Sequence, residues 1–390
     1  MAGTEEFITK YGDVSFTEMP FCDADNVALC EVFYMPLEKV VSPSFDDEPK
    51  GFGEVCNDMF NYMGHKHKAL GLMITKTPSI KLMEMSRHRR YAEMRVAACQ
   101  AVFDTEPAVQ FAAATFILPD GTLAIPFRGT DDTLAGWKED IDIYVRKGIP
   151  SHKLAVDYLE QAAKKFDGDI IVCGHSKGGN VALYAALNCS PEVRARIKYL
   201  YNNDGPGFVD YSLYATEAYR EILPKYRHFV PDSSMIGMLL AHDDDYTVIK
   251  STRHLGAFQH DLATWQLSGS EMETKPGLTK MAQLTDLGLM ELISRVNDEQ
   301  SAVVDKVIGR IIDATGEICL MDFAKNIVPA VGGAVKAWKG IDEETKTAFK
   351  DTFKGAGKIL KDAVKTVKEE TAPAAARRAK IMAQKVLANV

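Results

Sequence analysis

Residues 169–179 read Asp-Ile-Ile-Val-Cys-Gly-His-Ser-Lys-Gly-Gly, and no other run constrains the fold as strongly. Asp169–Cys173 is a short apolar stretch of the kind shown by a strand buried in a parallel sheet. Asn180–Leu187, just behind, has helical character. The pattern G-x-S-x-G therefore sits where a strand must turn directly into a helix. At such a turn the flanking glycines give the backbone clearance and the serine hydroxyl stands exposed above the sheet. The first N–H groups and the positive dipole end of the helix face it. The five-residue pattern alone is weak; its strand-turn-helix context marks Ser176 as a nucleophile rather than part of a glycine-rich turn.

The surrounding chain supports a wound α/β sheet. Val109–Leu118 and Thr122–Phe127 are extended patterns joined by the turn signal Pro119-Asp120-Gly121, which predicts a β-hairpin. Lys153–Phe166 carries apolar residues at helical spacing, and further short extended runs lie at 197–201, 226–230 and 246–250. Strands alternating with helices predict helices flanking a parallel sheet. Ser79–Gln100, free of Gly and Pro, is expected to be helical by propensity. Beyond Gly277 strand signals stop; Leu284–Ile312 has a helical pattern, and Pro329 is expected to close the segment after it. The expected organisation is an N-terminal segment (1–75) packed on or leading into the core, an α/β core (76–275), a helical extension (276–335) and a basic amphipathic tail (336–390).

A serine hydroxyl needs a base, and the base needs a carboxylate to orient it. In this fold class the chain order is Ser, then Asp or Glu, then His. Asp232 follows the strand-like run Tyr226–Val230 at the sheet's carboxyl edge, and His254 and His260 lie in the loop after the next strand. Asp243, Asp244 and Asp245 are alternative acids, or a solvated acidic turn. The oxyanion requires two backbone N–H donors: Lys177 supplies one by position, and Thr130, in the loop after the second hairpin strand, is the candidate for the other.

Phe127-Arg128-Gly129-Thr130 followed by Trp137 and Asp140, and Gly174-His175-Ser176 with Gly178-Gly179, resemble the class 3 (fungal-type) lipases. The resemblance spans about Val109 to Trp265 and includes Asp204-Gly205-Pro206-Gly207-Phe208 and Gln259-His260-Asp261. It is closer still to a bacterial α/β-hydrolase-like family of unknown function. The resemblance implies an α/β-hydrolase core and ester hydrolysis through an acyl-enzyme, and it favours His260 over His254 as the base. Two departures stand out. Pro231 precedes Asp232 and Ser233-Ser234 follow it, where those lipases have an acid followed by an apolar-Pro pattern. Lys177 replaces the usual Leu, which puts a cation at the expected mouth of the site.

Composition narrows the partners. The chain has 390 residues, 46% of them hydrophobic, enough to bury a sizeable core, and its net charge of −8 offers no footprint for nucleic acid. Seven scattered cysteines fit reduced thiols, and Cys173 reads as a small buried hydrophobe. His65 and His67 are spaced like metal ligands without companions, which fits a solvated loop better; no metal or cofactor is expected. No signal peptide or membrane span is visible, so a cytoplasmic location is expected. The exception to the acidic balance is Lys336–Val390, with 13 Lys and Arg against 7 Asp and Glu. It reads as a packed amphipathic helix or as a peripheral contact with an anionic membrane. The segment 131–152 is a candidate lid. The expected function is a serine hydrolase of small-molecule or lipid esters, with thioester, amide and acyl-transfer chemistry as variants. The alternative is a non-catalytic binding or scaffold protein that uses its basic helical end.

Overall fold

The hairpin forms where Pro119-Asp120-Gly121 predicts it, and in the computed structural model it is the centre of an eight-stranded sheet whose spatial order follows the chain. The structure describes residues 3–67, 69–70, 76–131, 133–240, 246–254, 256–280, 282–284, 298–314, 327–352 and 354. β1 (Lys50–Gly51), β2 (Arg95–Thr105), β3 (Ala108–Ile117) and β4 (Leu123–Phe127) are antiparallel neighbours. From β4 onward the sheet is parallel through β5 (Ile170–His175), β6 (Ile197–Asn203), β7 (Tyr226–Pro231) and β8 (Thr247–Ile249).

A parallel sheet that always advances in one direction carries its right-handed crossovers on one face. Helices α7 (Pro150–Lys165), α8 (Lys177–Asn188) and α10 (Glu217–Ile222) pack there, on Ala113, Ile125, Val172 and Leu200. The opposite face would be left in water. It is covered by the N-terminal residues: Ala112, Ala124, Ile171 and Cys173 point the other way, into a core with α1 (Thr4–Tyr11), α2 (Asp23–Val32), α3 (Phe52–Tyr62) and α4 (Thr77–Met85). Pleat alternation thus divides the strands between two cores.

The helix expected over Ser79–Gln100 is replaced by α4, the short α5 (Arg89–Ala92) and strand β2 from Arg95. Pairing along β3 overrides the local helix propensity, which is a weak preference. At the C-terminal end the described helices are α12 (Asp298–Asp313), α13 (Ile327–Gly340) and α14 (Glu343–Thr352). Pro329 lies in the first turn of α13 instead of closing a helix, a position that tolerates proline because no intrahelical N–H is needed there. α12 packs on α6 (Leu134–Val145), and the ring of Phe349 on α14 meets Trp338 on α13 edge-on at 5.8 Å. The rest of the basic tail lies outside the described residues. Among the described residues no helix is long and apolar enough to cross a membrane.

Candidate active site

Ser176 is the single residue between β5 and α8, with φ 58° and ψ −132°. That left-handed φ is strained for an L-residue, and it lets a strand become a helix within one position. The turn leaves no room for side chains around it. A Cβ on Gly178 would lie 2.1 Å from the Phe127 carbonyl oxygen, so helix and strand could not approach as they do. The strain is held by the Ser176 N–H donating to Asn203 O at 3.0 Å and by the Ser176 carbonyl accepting from Gly179 N–H at 2.9 Å.

His260 lies beside this turn, its ring 4.4 Å from the ring of His175. Its Nδ1 meets Oδ2 of Asp204 at 2.7 Å. Asp204 is buried at the end of β6, itself at φ 53°. Its other oxygen accepts from the Ser234 hydroxyl and from the Gly237 N–H at 3.1 Å. A carboxylate so supplied with donors is fixed in place and able to fix a histidine in turn.

Asp232, the expected acid, does not take this position. Its Oδ1 accepts from Gln259 Nε2 at 2.8 Å, and its Oδ2 pairs with Lys275. Asp232 ends β7, which is separated from β5 by β6, whereas Asp204 ends β6, the direct neighbour of β5. Gln259 and Lys275 take up the Asp232 carboxylate, and Asp204 is the acid that meets His260 Nδ1. Asp204 could have been recognised from the sequence: it follows an apolar run, it lies in the Asp-Gly-Pro-Gly stretch, and it keeps the Ser-Asp-His order. Asp243, Asp244 and Asp245 lie outside the described residues. His254 is exposed.

The loop after β4 comes to the serine. A Cβ on Gly129 would be 3.2 Å from Ser176 Cβ. Next to it, the Thr130 hydroxyl donates to the Asp140 carboxylate, 2.6 Å to Oδ1 and 2.7 Å to Oδ2. The hydroxyl is thereby engaged. Lys177 opens α8, where the first N–H groups have no intrahelical acceptor. Burial pushes the Asp140 carboxyl up to about 6, against the pull of Lys177, Thr130 and His260.

The Lys177 side chain is not a cation at the mouth. It runs inward, and its ammonium donates to Glu139 at 2.7 Å and to the backbone and side-chain oxygens of Gln110. Glu139 also accepts from the Ser151 N–H and hydroxyl. Both partners of the ion pair are buried. This pair ties α6, the middle of the expected lid, to the elbow and to β3.

Other expected candidates have ordinary surroundings. His67 Nδ1 meets the Ser79 hydroxyl at 2.9 Å, and the rings of His65 and His67 pack on Phe60. Cys173 is buried, which raises its thiol far above the usual range.

An elbow serine at the edge of a wound sheet, with a carboxylate-held histidine beside it, is the arrangement of the lipase-like α/β proteins. Residues 85–308, more than half of the chain, match the model of the Mbeg1-like family. The chain belongs to that lipase-like family. None of the curated proteins compared with it matches.

Proposed function

We propose that this protein is a serine hydrolase that cleaves carboxylic esters, of lipids or of smaller acyl groups, through an acyl-enzyme. Ser176 Oγ attacks the carbonyl carbon as His260 Nε2 takes the hydroxyl proton. Asp204, on Nδ1, orients the ring and stabilises the imidazolium. The carbonyl oxygen, now negative, is received by the N–H groups of Lys177 and Thr130, helped by the positive end of α8. His260 then gives its proton to the leaving alkoxide. In the second half a water loses its proton to His260 and attacks the acyl-enzyme, releasing the acid and restoring Ser176. No step calls on a metal or cofactor. Thioester or amide cleavage and acyl transfer use the same groups, since the acceptor is chosen by the surrounding pocket.

The observation that carries this reading is the 2.7 Å contact between His260 Nδ1 and Asp204 Oδ2 beside a serine held at φ 58°. The test is labelling of the full chain by a fluorophosphonate probe, with Ser176→Ala and His260→Ala as controls shown to be folded. Labelling that requires both residues supports the proposal and leads to a panel of acyl esters. A folded wild-type chain that does not label overturns it in favour of a non-catalytic binding role.

A further inference from the structure

The residue that seats the histidine from below is His175, the variable position before the elbow serine. It is buried, with Nδ1 2.8 Å from the Tyr34 hydroxyl and Nε2 2.8 Å from the His260 carbonyl oxygen. A carbonyl oxygen can only accept, so Nε2 carries the proton. A neutral imidazole has one N–H, so Nδ1 must accept, and the Tyr34 hydroxyl is its donor. Burial and the neighbouring His260 hold His175 neutral, well below its ordinary range, and burial keeps the Tyr34 phenol protonated. The chain of hydrogen bonds therefore has one direction: Tyr34 O–H to His175 Nδ1, then His175 Nε2–H to the His260 carbonyl. The other tautomer would set a lone pair against that carbonyl.

Tyr34 is itself clamped. Arg128, two residues before Thr130, donates from Nε to Phe33 O at 2.8 Å and from a terminal nitrogen to Met35 O at 2.8 Å, while pairing with Glu38. It thus grips the carbonyls on both sides of Tyr34. Gly129 lets the tyrosine come close, since a Cβ there would lie 2.3 Å from Tyr34 Oη. The carbonyl before His260, that of Gln259, accepts from Trp265 Nε1 at 2.8 Å, so two successive carbonyls of the histidine loop are anchored.

We propose that Tyr34 is a positioning residue of the active site: by donating to His175 Nδ1 it holds the His175 ring in place, and the ring's Nε2–H in turn holds the backbone of His260 while Asp204 holds the His260 ring. Tyr34 lies outside the 85–308 match, so the N-terminal layer of this chain completes the site as well as covering the sheet. The inference rests on the serine-hydrolase reading.

The experiment measures the fluorophosphonate labelling rate of the full-length wild type, Tyr34→Phe, His175→Leu, His175→Gln and the Tyr34→Phe/His175→Leu double variant. The His175 tautomer is read from ring nitrogen shifts by NMR. Loss of one hydrogen bond at a remove from the reacting atoms is expected to slow Tyr34→Phe about 10-fold. In the same variant the His175 ring is expected to keep its Nε2–H form, while its Nδ1 shift moves because the Tyr34 donor is gone. The substitution is expected to cost nothing further in the His175→Leu background, because the two act as one unit. His175→Gln, whose amide can still donate to the His260 carbonyl, is expected to label faster than His175→Leu, and this comparison decides the matter should Tyr34→Phe fail to fold. Wild-type labelling rate and an unchanged Nδ1 shift in Tyr34→Phe, or equal rates for His175→Gln and His175→Leu, overturn the inference while leaving the hydrolase reading intact. A wild type that never labels overturns both.

Discussion

Lys177, next to Ser176 in the chain, and Glu139 form an ion pair at 2.7 Å with both side chains buried. The pair joins the first turn of α8 to α6, and through Asp140, next in the chain, to Thr130. A lysine after the serine therefore points away from the sheet edge and ties the elbow to α6, whose Asp140 holds the Thr130 hydroxyl.

Removing one partner of a buried pair strands the other charge, which costs about 3–5 kcal/mol. Lys177→Met is expected to lose stability in that range in urea unfolding. Lys177→Met combined with Glu139→Gln is expected to recover part of the loss, since no uncompensated charge remains. A single variant as stable as the wild type would refute the bracing role.

The two aspartates are expected to separate by function. Asp204→Asn is expected to slow fluorophosphonate labelling and ester turnover by about 10³-fold or more, the scale seen when an orienting carboxylate loses its charge. Asp232→Asn acts one residue away, through Gln259, and is expected to cost less than about 10-fold. Comparable losses in the two folded variants would return Asp232 to the role of acid.

Asp140 sets a pH dependence of stability. Its carboxyl is raised to about 6 in the fold, against an ordinary value of 3.8. A raised acid binds its proton more tightly folded than unfolded. Its favourable contribution is complete below pH 3.8 and is lost as the pH rises through 6. Because the side chain keeps some exposure, the penalty at pH 7 is discounted to about 1–2 kcal/mol. Asp140→Asn, whose amide oxygen still accepts from Thr130, is expected to gain that much over the wild type between pH 4 and pH 7. Urea unfolding at both values measures it, and a difference between the proteins that is flat with pH would contradict the assignment.

The elbow, the hairpin before it and the later strands at 197, 226 and 247 were legible in the sequence, because each is recorded by residues adjacent in the chain: an apolar run, a turn signal, a glycine where backbones touch. The strand-to-helix turn at Ser176, the approach of the loop before Thr130 to it and the place of His260 beside it were anticipated by the same local patterns and by chain order. What the tertiary structure decided was which distant segments became neighbours. Sheet order set β6 rather than β7 beside the serine, and the histidine loop met Asp204 where local reading favoured Asp232. Pairing with β3 turned Arg95–Gln100 from expected helix to strand. A buried acid on α6 drew the Lys177 ammonium inward, and the bare face of a sheet wound in one direction called for the N-terminal helices that bring Tyr34 to His175. Local propensity is a matter of fractions of a kcal/mol per residue, whereas burying an apolar face, or leaving a buried charge without its partner, changes stability by several, so the long-range terms prevailed wherever the two disagreed.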